Sequence, residues 1–262
     1  MERIQDQKRG FQDLAMRVLS WIIYARRPLS TLELQHALAV KIGISAPDKN
    51  NLTEIGLIAS VCAGLVTVDE ESDIIRLVHY TTQEYFERTQ TSWFPNAQVD
   101  IAKACVTYLS FDTFESGFCP TNEEFRARLR QYPLYDYAAG NWVHHAPTDL
   151  AEVEQLILGF LESKPKVSAS SQVMMAPVRH SGYGRRAARQ MTGVHLTAYC
   201  GLVEAMVALL ENGHDPDAND INGWTPLLWA IESGSAEIIQ LLLAKNVTVN
   251  YCYTYVSELK RI

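Results

Sequence analysis

Thr192-Gly-Val-His-Leu-Thr-Ala-Tyr-Cys-Gly201 is followed 33 residues later by Thr225-Pro-Leu-Leu-Trp-Ala-Ile-Glu-Ser-Gly234. The register holds beyond both stretches: Leu209-Leu210 falls on Leu242-Leu243, and Gly213 on Asn246. A fixed period of this length marks a stack of small helical units, none able to bury its apolar face alone. Each unit should hold a turn and two antiparallel helices. In the second, Gly223 supplies the turn, Thr225-Pro226 starts the inner helix and Gly234 separates the helices. Ile238, Ile239, Leu241, Leu242 and Leu243 form the buried side of its outer helix. The first unit is less regular, with Gly193 in the place of Pro226. One period further on the pattern stops: Val256 stands where the turn glycine belongs, and Glu258-Leu-Lys-Arg261 where the inner helix should open. Two units are fewer than the roughly three a stable stack needs; either the helices expected at 97–162 shield one end or, the favoured reading, the sequence is truncated at the C-terminus.

Upstream of the repeats the pattern is different. Phe11, Leu14, Val18 and Ile22 recur at helical spacing and predict a helix over about 11–25, stopped by Pro28. Ser30-Thr-Leu-Glu33 is a capping box that opens a second helix, to about Val40. Asn51-Leu-Thr-Glu54 offers a similar cap for a third, to about Ala63. Leu65–Asp69 and Ile74–Val78 alternate around Glu70-Glu-Ser-Asp73 and read as a β-hairpin. Thr81-Thr-Gln-Glu84 should cap the next helix. Helices are expected at roughly 97–110, 122–131 (capped by Thr121 and Glu124), 134–145 and 149–162. Lys164-Pro-Lys-Val-Ser-Ala-Ser-Ser171 has the composition of a linker, and Ser181-Gly-Tyr-Gly184 reads as a turn.

The opening of each 33-residue unit, T-P-L-L-like or T-G-V-H-like, resembles the ankyrin signature. Residues 11–91 resemble the winged-helix domain that follows the NACHT domain in fungal NACHT–ankyrin proteins, a module of the GPI inositol-deacylase winged-helix type. The match is carried by Ala15-Met-Arg-Val-Leu-Ser-Trp-Ile, Arg27-Pro-Leu-Ser-Thr-Leu-Glu-Leu-Gln-His-Ala-Leu-Ala, Val61-Cys-Ala-Gly-Leu-Val and Leu77-Val-His-Tyr-Thr-Thr-Gln-Glu-Tyr-Phe86. The expected fold class is mainly α: a winged helix with a small β-hairpin, a helical connector and a C-terminal ankyrin-repeat α-solenoid. The expected division is an N-terminal extension (1–10), the winged helix (11–91), the connector (92–162), a linker (163–189), two ankyrin units (190–222 and 223–250) and a non-repeat tail (251–262).

The resemblance implies a receptor-like signalling ATPase whose ankyrins bind a protein. The nucleotide-binding part is missing: no G-x-x-x-x-G-K-[ST] loop occurs in the sequence. The family places a histidine at the end of the wing's second strand, where it meets a nucleotide phosphate. His79 occupies that place and would act only against a NACHT partner. The family's histidine that bonds the neighbouring loop maps to His195. The usual ankyrin contact positions map to Met191, Tyr199 and Cys200 in the first unit, and to Ile221, Asn222, Trp224, Glu232 and Ser233 in the second. Tyr199 and Trp224 are the natural anchors, being large and rigid with a polar handle.

Composition narrows the function. The formal net charge is -7, which argues against a nucleic-acid footprint. The third helix of the winged helix, the one that would enter a DNA groove, carries no Lys or Arg, so a DNA-binding regulator is the disfavoured alternative. No G-x-S-x-G elbow occurs, so the deacylase label implies no catalysis, and no catalytic residue is assigned. Five scattered cysteines form no CxxC pair; neither metal nor cofactor is expected, and the thiols are read as reduced. His144-His145 reads as a helix end with favourable dipole placement rather than a metal pair. Tyr132, Tyr135, Tyr137 and Trp142 read as core, and the basic run Arg179–Arg189 as solvated linker. With no signal peptide and no apolar run long enough for a membrane span, the expected compartment is the cytoplasm, the nucleus not excluded. The expected function is a non-catalytic protein-interaction module; the alternative is a regulatory subunit docking on a separate NACHT ATPase.

Overall fold

The computed structural model describes residues 1–48, 51–146, 153–175 and 191–249. It opens with α1 (Glu2–Gln5) and α2 (Arg9–Tyr24), whose Ala15, Val18, Leu19 and Trp21 turn inward. The first ten residues were expected to be an extension, but α1 belongs to the fold: Ile4 is 1% exposed. An isoleucine buried that fully stabilises by roughly 1.5–3 kcal/mol, enough to hold a short helix down.

Ser30 caps α3 (Thr31–Ala39) as its sequence predicts: its hydroxyl accepts from Glu33 N, and Glu33 accepts from Ser30 N at 2.8 Å. The next helix, α4 (Ile55–Val61), starts later than expected and has no side-chain cap. Asn51 instead donates from Nδ2 to Ala39 O at 3.2 Å, closing the end of α3. Strands β1 (Val66–Asp69) and β2 (Ile74–Leu77) pair antiparallel, Val66 opposite Leu77 and Asp69 opposite Ile74. Ser30 adds a single bridge to Ile74 at the edge of this hairpin. Helix α5 (Tyr80–Trp93) begins directly after His79; the expected Thr81 cap is not formed.

The connector holds α6 (Ala97–Leu109), a 3-10 turn (Asp112–Ser116), α7 (Asn122–Gln131) and α8 (Leu134–His145). Thr121 and Glu124 form the expected capping box. Helix α6 packs along α8, and the pair rests on α2 and α3. Polar bonds join the winged helix to this pair. Arg26 N donates to Tyr137 Oη at 3.1 Å, and His36 Nδ1 lies 3.0 Å from Tyr108 Oη. Arg27 grips Glu33 with both terminal nitrogens, at 2.6 and 2.9 Å, and also reaches Asp136 at 3.1 Å. Tyr135, Tyr137 and Trp142 lie in the core, and Tyr132 is half-buried.

His145 corrects one expectation. It is 1% exposed and bonded through both ring nitrogens, to Tyr137 Oη at 2.8 Å and Gln98 Oε1 at 2.6 Å. Burial lowers its pKa to about 4, helped by His144 and Arg26. It is therefore neutral at pH 7 and adds no charge to the helix dipole.

The expected linker is likewise corrected. After α9 (Glu154–Glu162), residues Lys164–Met174 form α10, with Pro165 in its first turn. Val167 through Val173 are buried. Small serines let α10 press close to its neighbours, and Gln172 brackets the Cys119 backbone with two bonds of 2.9 Å. The rest of the expected linker, residues 176–189, lies outside the described residues, as do the start of the helix expected at 149 and the tail 251–262.

Four short helices complete the chain: α11 (Gly193–Cys200), α12 (Val203–Glu211), α13 (Pro226–Ser233) and α14 (Ala236–Ala244). Each pair turns at a left-handed glycine, Gly201 at φ 71° and Gly234 at φ 73°. Inner helix α11 packs on inner helix α13, and outer α12 on outer α14. Helix α9 covers the other side of the first unit, resting on both α11 and α12. On the last two helices Ile231 and Leu243 are left 56% and 45% exposed.

Candidate interaction cleft

His195 locks the two units together. Its Nδ1 meets Thr192 N at 3.2 Å, and its Nε2 reaches Ala218 O at 3.0 Å and Trp224 O at 3.1 Å. Only a ring N–H on Nε2 satisfies two carbonyl acceptors, so this tautomer is neutral with Nδ1 as acceptor. Desolvation lowers its pKa, against the pull of Asp220. Asp220 organises the loop itself. It is buried and accepts from Asn222 N (2.7 Å), Trp224 N (2.9 Å) and Trp229 Nε1 (3.2 Å).

The inner helices run from this loop toward α8. Eight residues at 1.5 Å each put their far ends about 12 Å from the loop. There Tyr199 and Cys200, Glu232 and Ser233 form one wall of a cleft of about 620 Å³. Asp136, Gly140, Asn141 and His144 of α8 face them, and Val173 and Met174 of α10 close the side. Tyr199 stands edge-on to Trp229, ring centroids 5.6 Å apart. Gly140 leaves the α8 wall open: a Cβ there would meet no atom within 4 Å. The Cys200 thiol is pushed up to about 12 by burial, so it stays protonated at neutral pH and is no nucleophile.

The structure thus brings together four of the eight contact residues read from the repeat: Tyr199, Cys200, Glu232 and Ser233. Ile221, Asn222 and Trp224 sit at the opposite end of the inner helices. Ile221 is exposed and Asn222 is half-buried. Trp224 is half-buried against Trp229, centroids 5.1 Å apart, so it covers the loop as well as facing outward. Met191 is a correction: at 1% exposure it is core and offers no contact surface. It precedes α11. The α8 side of the cleft was missed by sequence reasoning. Its residues lie about sixty and about ninety positions before the two inner-helix ends that they face, and no periodic pattern links them.

His79 stands exposed between β2 and α5, as the N-cap residue of α5. Among the described residues, no group of three or more His, Cys, Asp or Glu could hold a metal ion. No helix among them is long and apolar enough to cross a membrane.

Comparison with known proteins agrees with this layout. The winged-helix family described as "GPI inositol-deacylase, winged helix domain" matches residues 1–102, and "Ankyrin repeats (3 copies)" matches residues 173–252. The chain is similar to the B-cell lymphoma 3 protein homolog of Mus musculus, with 43% identity over 61 residues. That match covers 23% of this chain and 14% of the length of the relative. No solved structure matches the chain. The chain therefore carries a winged helix domain of the GPI inositol-deacylase type, followed by ankyrin repeats.

Proposed function

We propose that the chain is a non-catalytic protein-interaction module, of the kind found in NACHT–ankyrin receptor-like proteins, and that it holds its partner in the cleft between α8 and the inner-helix ends. The observation that carries the reading is the convergence of Tyr199, Cys200, Glu232 and Ser233 on one open cleft of about 620 Å³. A concave site with an aromatic wall and a few polar groups suits a peptide better than a flat surface does. The four described cysteines are free thiols, three of them buried, which fits a reducing cytoplasmic setting.

The test is to pan a random peptide library on the whole 262-residue chain and to measure the selected binders against two variants. Tyr199→Ala removes the aromatic wall and should weaken binding by about tenfold or more. Gly140→Trp fills the cleft and should abolish binding. Binders indifferent to both substitutions would sink the reading.

A second reading is a regulatory subunit that docks on a separate NACHT ATPase through the wing. It is favoured by the exposure of His79 at the strand–helix junction. His79→Ala should then change how much nucleotide such an ATPase retains; unchanged retention removes this reading. DNA binding is disfavoured, since α4 is Ile-Gly-Leu-Ile-Ala-Ser-Val and brings no cation to a phosphate.

A further inference from the structure

The chemistry of the cleft is one-sided. Three helices end at its rim, α10 at Met174, α11 at Cys200 and α13 at Ser233, while α8 lines it lengthwise from Asp136 to His144. Each C-terminus carries the negative end of a helix dipole, worth about half an elementary charge. Three such ends at one rim contribute a negative potential without any ionised side chain. Two carboxylates add to it, Asp136 from α8 and Glu232 from α13, and no Lys or Arg lines the cleft among the described residues. Asp136 is already paired to Arg27, but that guanidinium is shared with Glu33, so two carboxylates face one cation. The surrounding sequence has the same sign: between Met191 and Val249 there are seven acidic residues and one basic residue, Lys245.

We infer that the cleft takes a Lys- or Arg-bearing extended segment of a protein partner, with one cationic head seated among the helix ends. This rests on the cleft being the partner site, and adds the class of partner. A guanidinium or ammonium donates to several carbonyl oxygens at once. The apolar stem of the same side chain would lie along Tyr199, Val173 and Met174. Gly140 leaves the room for a backbone to pass α8.

The experiment titrates the full chain into fluorescein-labelled nona-arginine near physiological salt, with nona-glutamate as the control probe. Saturable binding of nona-arginine alone is expected. Gly140→Trp leaves every charge in place and fills the space, and should weaken binding by about tenfold or more. Glu232→Gln leaves the space and removes one charge, and should weaken it about three- to tenfold, with a shallower salt dependence. Circular dichroism of both variants checks that they fold. Affinity that Gly140→Trp leaves unchanged would mean diffuse attraction to an acidic surface and would overturn the assignment; so would no binding at all.

The chain carries its own cations nearby in sequence, at Arg179, Arg185, Arg186 and Arg189. Replacing all four with Gln should leave nona-arginine affinity unchanged. Binding that appears only after that replacement would make the chain's own arginines the occupant and would overturn a partner in trans. Neutral or acidic library peptides that lose binding in Gly140→Trp would overturn the cationic class while leaving the interaction cleft standing.

Discussion

The carbonyl oxygen of Leu161 occupies the space into which a side chain on Gly193 would project. This contact is why the first repeat departs from the second at that position: Pro226 fits the second unit, whereas α9 presses its backbone against the start of α11. The glycine is imposed by a neighbour, not by its own dihedral angles: among the described residues the glycines with positive φ are Gly43, Gly64, Gly117, Gly201, Gly213, Gly223 and Gly234, and Gly193 is not one of them.

Gly193→Ala should therefore destabilise the chain by about 1–3 kcal/mol, because backbone must move to admit a methyl group. The midpoint of urea unfolding followed by tryptophan fluorescence reads this directly, Trp224 and Trp229 reporting the repeat end. A midpoint equal to the parent's would mean α9 is free to shift.

Gly140 should behave in the opposite way. It lies inside α8 with open space around it, and a helix-interior glycine costs about 0.5–1 kcal/mol relative to alanine. Gly140→Ala should raise the unfolding midpoint or leave it unchanged. A lower midpoint would contradict the open wall of the cleft.

Asp220→Ala should cost about 2–4 kcal/mol, since it strands the Trp229 indole N–H and two loop amides that the carboxylate now satisfies. Asp220→Asn keeps one acceptor oxygen and should cost less. Equal losses for the two would mean that the carboxylate's charge, not its hydrogen bonding, holds the loop.

Acidification should loosen the fold through His145 and His195. Both are held neutral by burial, with folded pKa values below the unfolded value of about 6.5. The unfolded chain then binds more protons, so the stabilisation is complete above that value and is lost as pH falls below it. For His145, whose pKa falls to about 4, the loss between pH 7.5 and pH 5 is about 2 kcal/mol. Urea midpoints across this range test it, and His145→Gln should flatten the slope; a slope unaltered in that variant would mean other groups carry the pH dependence.

Much of the architecture was legible because it rests on local signals. The capping boxes at Ser30 and Thr121 and the β-hairpin depend on residues a few positions apart, and the repeat shows itself by its fixed 33-residue period. The errors came where a distant partner decides. Lys164–Met174 reads as linker because its serines are polar, yet Ser170 and Ser171 are fully buried against neighbouring helices. Pro165 in the first turn was the one signal that could have marked a helix start. Asn51 looked like a cap, but its amide is taken by Ala39 O across the loop. The cleft was half legible: the repeat names the inner-helix ends, while the opposing α8 residues come from a segment with no periodic relation to them.

Ile231 and Leu243 stay largely uncovered at one side of the repeats, whereas Leu161 and its helix seal the other. The solenoid thus has a direction. A further unit would find an apolar surface to join only after α14, and one placed before α11 would have to evict α9. Lengthening this stack is a one-sided operation, with its origin pinned at the connector.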